Sequence, residues 1–78
     1  MSLRQLALRV LAAKGLLRQN QLRVLRNHLK SQPESELVRQ VADCETTAQL
    51  RVLWEAGLND RLQQVVADRL DYLRKGEA

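Results

Sequence analysis

The stretch QLRVL at residues 21–25 recurs without change at residues 49–53. In both copies the two leucines lie three positions apart, which places them on one face of an α-helix. A looser match follows each copy, with LVRQVAD at residues 37–43 and LQQVVAD at residues 62–68. The repeat predicts two helical hairpins, with the second and third helices in one and the fourth and fifth in the other.

Outward from these segments, the sequence predicts one all-α domain that spans residues 1–78. A chain of this length leaves no room for two ordinary domains, and no stretch alternates apolar and polar residues as a strand does. Short connections favour antiparallel neighbours, in a compact bundle or in two and a half stacked hairpins. About five short helices are expected, over residues 3–14, 20–30, from Pro33 to Cys44, from Thr46 to Gly57, and over 60–74.

Capping signals mark the expected helix ends. Ser2 with Gln5, and later Thr46 with Gln49, have the spacing of a capping box, in which two side chains bond the first backbone N–H groups. Asparagine is a further strong N-cap, and glycine stops a helix because it adopts left-handed backbone angles. The remaining expected starts and stops are Asn20, Asn59, Gly15, Gly57 and Gly76.

The charge is divided unevenly along the chain. All seven charged residues of 1–33 are basic, whereas residues 34–78 contain six bases and nine acids. Such a division predicts an anionic partner for the first part, or a head-to-tail contact between copies. The simpler interpretation is that a small domain carries its charge on a solvated surface.

The basic hairpin of residues 14–30 gives the strongest indication of function. Arginine and asparagine contact phosphates and base edges, and helix-turn-helix proteins place such a second helix in the major groove. The chain has no phenylalanine and Tyr72 is distant, so an aromatic platform for single strands is missing. An acidic protein surface is the alternative partner. The candidate residues are Lys14, Arg18, Arg23, Arg26, Asn27 and Lys30.

Two apolar features bear on partner docking. The first helix is apolar over more than half its girth, through Leu8, Leu11 and Ala12, which predicts packing between neighbours. No sixth helix follows to cover the fifth, so we expect self-association or partner docking there. Trp54 is expected in the core, with a role as an exposed interface anchor as the alternative. The candidate apolar interface consists of Leu62, Val66, Leu70, Tyr72 and Leu73.

Residues that carry chemistry are few. His28 is the single histidine and is expected on the surface, and Cys44 is expected as a small buried residue whose acidic neighbours raise its pKa. No metal-ligand spacing or glycine-rich phosphate loop occurs, so we expect neither enzymatic activity nor a cofactor. A lone cysteine, no membrane-spanning apolar run and no leader pattern predict a cytoplasmic location and no membrane partner.

Residues 21–70 resemble short α-hairpin repeats of the HEAT and leucine-rich-variant kinds. The resemblance is carried by VRQVA at 38–42, the Thr46-Thr47 pair, Leu50 and Leu53, and VVA at 65–67; Asp43-Cys44 and Asp68-Arg69 stand where the leucine-rich variant has Asn-Pro. It implies stacked units, of which about three are needed to cover their apolar faces. The repeat, the uncovered end and the sparse chemistry together predict a non-enzymatic interaction module or adaptor, which binds a protein partner or self-associates. Nucleic-acid binding or regulation through residues 14–30 is the alternative.

Overall fold

Five helices make up the computed structural model, which describes residues 2–77 and contains no strand in that range. The prediction of an all-α fold with about five helices is confirmed. The helices, in chain order, are α1 (Leu3–Ala12), α2 (Gly15–Ser31), α3 (Glu34–Ala42), α4 (Thr47–Ala56) and α5 (Asp60–Glu77).

Side-chain caps begin three of the helices, as the sequence predicts. The Ser2 hydroxyl accepts a hydrogen bond from the Gln5 backbone N–H, while the Gln5 side chain accepts one from the Ser2 N–H. Thr46 and Gln49 repeat this capping box at the start of α4. The Asn59 side chain accepts a 2.9 Å bond from an N–H in the first turn of α5. These bonds satisfy donors that have no partner inside the helix.

Three of the predicted helix ends are wrong. Gly15 has a positive φ of 61° but begins α2 instead of ending α1, and Asn20 lies inside α2 and caps nothing. The reason is that residues 16–19 are strong helix formers, so α2 extends upstream of Asn20. Gly76 lies within α5 and does not end it. Only Gly57, with φ 102°, follows the end of its helix as expected.

The first helix lies at the centre of the packing. α1 packs against α2, α3 and α4, and α5 closes the other side against α3 and α4. Burial of apolar area at about 25 cal/mol per Å² is the main force that holds these helices together. The arrangement is the compact bundle among the two expected architectures. Its buried leucine and valine side chains are Leu3, Leu6, Val10, Leu22, Leu25, Leu37, Val41, Leu50, Val52, Leu53, Leu62 and Val66.

The two QLRVL copies lie in different parts of their helices. Residues 21–25 lie in the middle of α2, whereas residues 49–53 belong to the first two turns of α4. The leucines are buried and the arginine is exposed in both copies, but Val24 is 43% exposed and Val52 only 2%. Within residues 2–77, α2 packs along α1 and α4 and not closely along α3, the partner that the hairpin interpretation assigns to it. The repeat resemblance itself stays a prediction.

A single glutamine joins three helices. The Gln40 side-chain oxygen accepts a 3.2 Å hydrogen bond from the Leu3 backbone N–H and lies 3.0 Å from His28 Nε2. The Leu3 backbone N–H can only donate, so the atom of the Gln40 amide that faces it must be the oxygen. The same oxygen faces His28 Nε2, which must therefore carry a proton in order to donate to it. His28 is half-buried in this contact, so its expected place on the open surface is wrong.

The lone cysteine is a core residue, as predicted. Cys44 is fully buried just after α3, and its Sγ points toward the Gln40 carbonyl oxygen at 3.8 Å. Burial is the main cause that raises the pKa of the thiol to about 11, and the nearby Asp43 adds less. The thiol is therefore protonated at neutral pH and is a weak nucleophile.

We expect the folded protein to protect Cys44 from alkylation at neutral pH, and urea to release its reactivity.

The raised pKa of Cys44 also makes the stability depend on pH. Because the folded state holds the thiol proton more tightly than the unfolded chain, the contribution of this thiol to stability is complete below pH 9.0 and is lost as pH rises toward about 11. The loss amounts to roughly 2–3 kcal/mol. Urea unfolding at a series of pH values measures this loss, with Cys44→Ala as control. If the free energy of unfolding fell equally with pH in both proteins, the raised pKa of Cys44 would be contradicted.

Candidate functional site

One exposed face of α2 is basic along its length. Arg23, Arg26, Asn27 and Lys30 are all exposed, and they follow the i, i+3, i+4, i+7 spacing of a single helix face. We call these four residues the α2 stripe. No acid occurs in α2, so nothing on the same helix offsets its charge. The structure thus brings together four of the six basic-hairpin candidates.

Arg26 is the member of the α2 stripe that is fixed in place. Its Nε donates a 2.9 Å hydrogen bond to the carbonyl oxygen of Ala56, the last residue of α4. Carbonyls in a last helical turn lack partners inside the helix, and this bond satisfies one of them. The contact ties α2 to the end of α4 and orients the guanidinium group before any ligand arrives.

The other two candidates are separated from the α2 stripe. Arg18 turns toward α4 and forms a two-pronged ion pair with Glu55, with Nη1–Oε1 and Nη2–Oε2 distances of 2.7 and 2.6 Å. Lys14 lies before α2, at its exposed start. The six candidates of the basic hairpin at residues 14–30 therefore do not form one surface, since Lys14 and Arg18 lie apart from the other four.

We expect Arg18→Gln to raise the pKa of Glu55. The hydrogen bond from Arg18 is the main cause that holds this pKa below its ordinary value, because it stabilises the charged carboxylate. A carboxyl-carbon NMR titration of Glu55 measures the change. Arg23→Gln removes a similar charge from the exposed face of α2 and should leave the pKa of Glu55 unchanged. An unchanged Glu55 pKa in Arg18→Gln would contradict the ion pair.

Ion pairs within the fold offset part of the positive charge of residues 1–33. Arg4 Nη1 lies 3.0 Å from Glu45 Oε1, and Arg18 contacts Glu55, so two acids of the second part lie on bases of the first. The expectation that the whole basic part faces a partner is too broad. Among the side chains of residues 2–76, the bases of the first part without an ion pair are Arg9, Lys14, Arg23, Arg26 and Lys30.

The apolar interface expected on α5 is mostly core. Leu62 and Val66 are buried, so they are not available to a partner, and this part of the prediction is wrong. Leu70 and Leu73 pack partly against the core. Only Tyr72 is well exposed, and Arg69 lies over its ring with Cζ 5.0 Å from the centroid. The bundle covers α5 without a sixth helix because α3 and α4 together take its apolar stripe.

Exposed leucines lie instead around the turn from α1 to α2. Leu16 is 84% exposed, and Leu8, Leu11 and Leu17 are exposed by about half. We call these four the turn leucines. The sequence contains the signal, since α1 is apolar over more than half its girth, and α1 does pack between neighbours, but α2, α3 and α4 do not cover all of its apolar surface. One flank of α1 stays open to solvent.

The single tryptophan is also at the surface. Trp54 is 45% exposed, so its expected place in the core is wrong, and the alternative of a surface position is the one that the structure has. It lines a shallow groove of about 310 Å³ between α4 and α5, together with Arg51, Leu70 and Arg74.

A second groove forms where four helix ends meet. α2 and α4 end there and α3 and α5 begin, around a groove of about 560 Å³ that we call the junction groove. Leucines form much of its lining, and charged or polar side chains stand beside them. Its leucines are Leu29, Leu37, Leu58 and Leu62, and its charged or amide side chains are Arg26, Lys30, Gln32, Glu34 and Asn59.

The single histidine and the single cysteine both make contacts within the fold. His28 is bonded to Gln40, and Cys44 is buried and protonated. Among the side chains of residues 2–76, no three histidines, cysteines or acids are grouped as metal ligands. No helix within residues 2–77 has the length and apolar character that crossing a bilayer requires. No family model, no curated protein and no solved structure matches the chain.

Proposed function

We propose that the chain is a non-enzymatic helical interaction module that binds a protein partner. The observation that carries the proposal is the exposure of the turn leucines, four large apolar side chains within residues 8–17. Scattered exposed leucines need no explanation, but several around one turn are typical of a surface that a partner covers. Leu16 is the most exposed of them and is the natural centre of such a contact.

The charges near the turn leucines indicate the partner's character. Arg9 and Lys14 lie in the same turn region and have no ion pair with the side chains of residues 2–76. Protein interfaces commonly surround an apolar centre with a polar rim. A partner surface with apolar residues at its centre and acids at its edge would match both features.

Position-specific photocrosslinking tests the proposed module. A photoreactive amino acid in place of Leu16, in cells that produce the chain, should give a discrete protein adduct that survives nuclease treatment. The matched control is Ser35, an exposed position on α3, which should give no such adduct. The proposal is overturned if Leu16 and Ser35 give the same pattern, or if the Leu16 adduct disappears with nuclease.

The α2 stripe supports a second candidate function, which is nucleic-acid binding. Two arginines, an asparagine and a lysine on one exposed face supply groups that contact phosphates and base edges. The same face lacks acids that would repel the backbone. The turn leucines have no evident use in such a complex, which is why protein binding is the leading proposal.

Salt-dependent binding tests this second candidate. Three phosphate contacts from Arg23, Arg26 and Lys30 should weaken duplex binding about 40-fold between about 50 and 200 mM salt. Fluorescence anisotropy with mixed-sequence DNA and RNA measures it. Reversal of Arg23 and Lys30 to glutamate should abolish binding, whereas the same reversal of the exposed Arg39 and Arg61 should not. Absence of binding at low salt, or equal effects of the two pairs, rejects nucleic acid.

A further inference from the structure

We propose that the junction groove is a docking site for a partner segment in which a bulky apolar side chain stands next to a carboxylate. The inference rests on the proposed function as a protein-interaction module and names a second surface and the chemistry of what binds there. It is carried by the leucine lining of the groove together with the fixed Arg26 and Lys30 beside it.

The size and lining of the junction groove suit an apolar side chain. Its volume of about 560 Å³ falls in the usual range of ligand sites, about 300–1,000 Å³. Of its leucines, Leu37 and Leu62 are already buried, whereas Leu29 and Leu58 are only partly buried by the bundle's own packing. An aromatic or leucine side chain seated against them would remove further apolar area from water, at about 25 cal/mol per Å².

The charges of the groove favour an anion beside that apolar group. Arg26 is held by its bond to the Ala56 carbonyl, and Lys30 lies one turn further along the same helix. The one acid in the lining, Glu34, has Arg61 Nε 3.5 Å from its Oε1, so its charge is partly offset. An arginine that is already oriented loses less side-chain freedom when it binds a carboxylate.

A protein segment fits this lining better than a nucleic acid does. No aromatic residue lines the junction groove, so a base would find nothing to stack on. Phosphates and sugars are polar and gain little from contact with the leucines of the groove. An aspartate or glutamate next to a phenylalanine or leucine supplies both of the groups that the groove can recognise.

A charge series of capped dipeptides tests the proposal on the intact chain. The probes are acetyl-Phe-Glu-amide, acetyl-Phe-Gln-amide and acetyl-Phe-Lys-amide, titrated into isotope-labelled protein and followed by backbone amide NMR. We expect shifts centred on the groove amides of Gly57, Leu58 and Asn59. The glutamate peptide should bind several-fold tighter than the glutamine peptide, and the lysine peptide weakest.

Variants on α2 separate the groove from general charge attraction. Lys30→Gln and Arg26→Gln should each reduce the preference for glutamate over glutamine, whereas Arg23→Gln, on the α2 stripe but outside the groove lining, should leave it unchanged. Lys30→Gln keeps the bond from Arg26 to Ala56, so it remains informative even if Arg26→Gln loosens the fold. Shifts centred elsewhere, no preference for glutamate, or an equal effect of Arg23→Gln overturns the proposal.

The two proposals fail in different ways. Adducts from Leu16 with no dipeptide binding in the groove would leave the module in place and remove this docking site. Peptide binding in the groove with no specific Leu16 adduct would do the opposite, because the photoreactive position lies at the far end of α2 from the groove.

Discussion

Leu53→Ala should remove about 3–5 kcal/mol from the free energy of unfolding, because it deletes a fully buried side chain and leaves a cavity. A domain of this length has a total of only about 4–12 kcal/mol, so the variant would lose a large part of its stability. Urea unfolding followed by circular dichroism measures the change. The small size of the chain makes each leucine of its core count heavily.

The matched control for this variant is Leu16→Ala, the same chemical change at a position 84% exposed. We expect its free energy of unfolding to stay within about 0.5 kcal/mol of the parent, as is usual for surface positions. The same variant also removes the centre of the turn leucines, so it yields a folded protein for partner-binding assays. A destabilisation similar to that of Leu53→Ala would contradict the placement of α2.

The repeated QLRVL stretch allows a second large effect to be measured within identical local sequence. Val52→Ala should cost about 1–3 kcal/mol, since Val52 is 2% exposed and packs in the core. Val24→Ala should cost less than about 0.5 kcal/mol, since Val24 is 43% exposed. Both valines lie inside helices, each with Leu-Arg before it and Leu after it, so propensity differences largely cancel.

The outcome of this pair bears directly on the repeat. Unequal costs would show that the two copies play different structural parts in the bundle. Equal costs would contradict the packing of α2 and would favour the equivalent hairpins that the sequence suggests. Thermal or urea unfolding of the two single variants and of the double variant is sufficient, since distant sites are expected to add.

Local sequence signals predicted the helix number and most helix starts. Ser2, Thr46 and Asn59 act within one turn of their own positions, so their hydrogen bonds depend on little else in the chain. Gln49 illustrates the same point, because its side chain caps α4 and is buried in doing so. Its counterpart Gln21 lies inside α2, where no cap is needed, and identical sequence therefore has two roles.

Positions that depend on the tertiary structure were not predictable in this way. Arg18 faces Glu55, which lies 37 residues further along the chain, so no spacing rule could exclude it from the candidates of the basic hairpin. Trp54 follows Leu53 by one position, and only the placement of α5 decides that it lies at a groove edge and not in the core. The α2 stripe was predictable because helix periodicity alone places its four residues on one face.

The junction groove shows the same limit at the level of the site. Arg26 and Lys30 stood among the sequence candidates, but the leucines beside them come from α2, α3, α5 and the connection before α5. Each of these segments carries its leucines for an ordinary reason, the burial of an amphipathic face. Only the meeting of four helix ends brings them next to the two bases.

The central place of α1 has a consequence for how the chain matures on the ribosome. Its apolar residues are made before those of the other four helices, yet Leu3 contacts Gln40, Arg4 contacts Glu45, and the helix packs along α4. Because synthesis adds about 5–20 residues per second, several seconds pass between the emergence of α1 from the exit tunnel and that of these neighbours. During that interval the apolar face of α1 that α3 and α4 later bury is exposed to water.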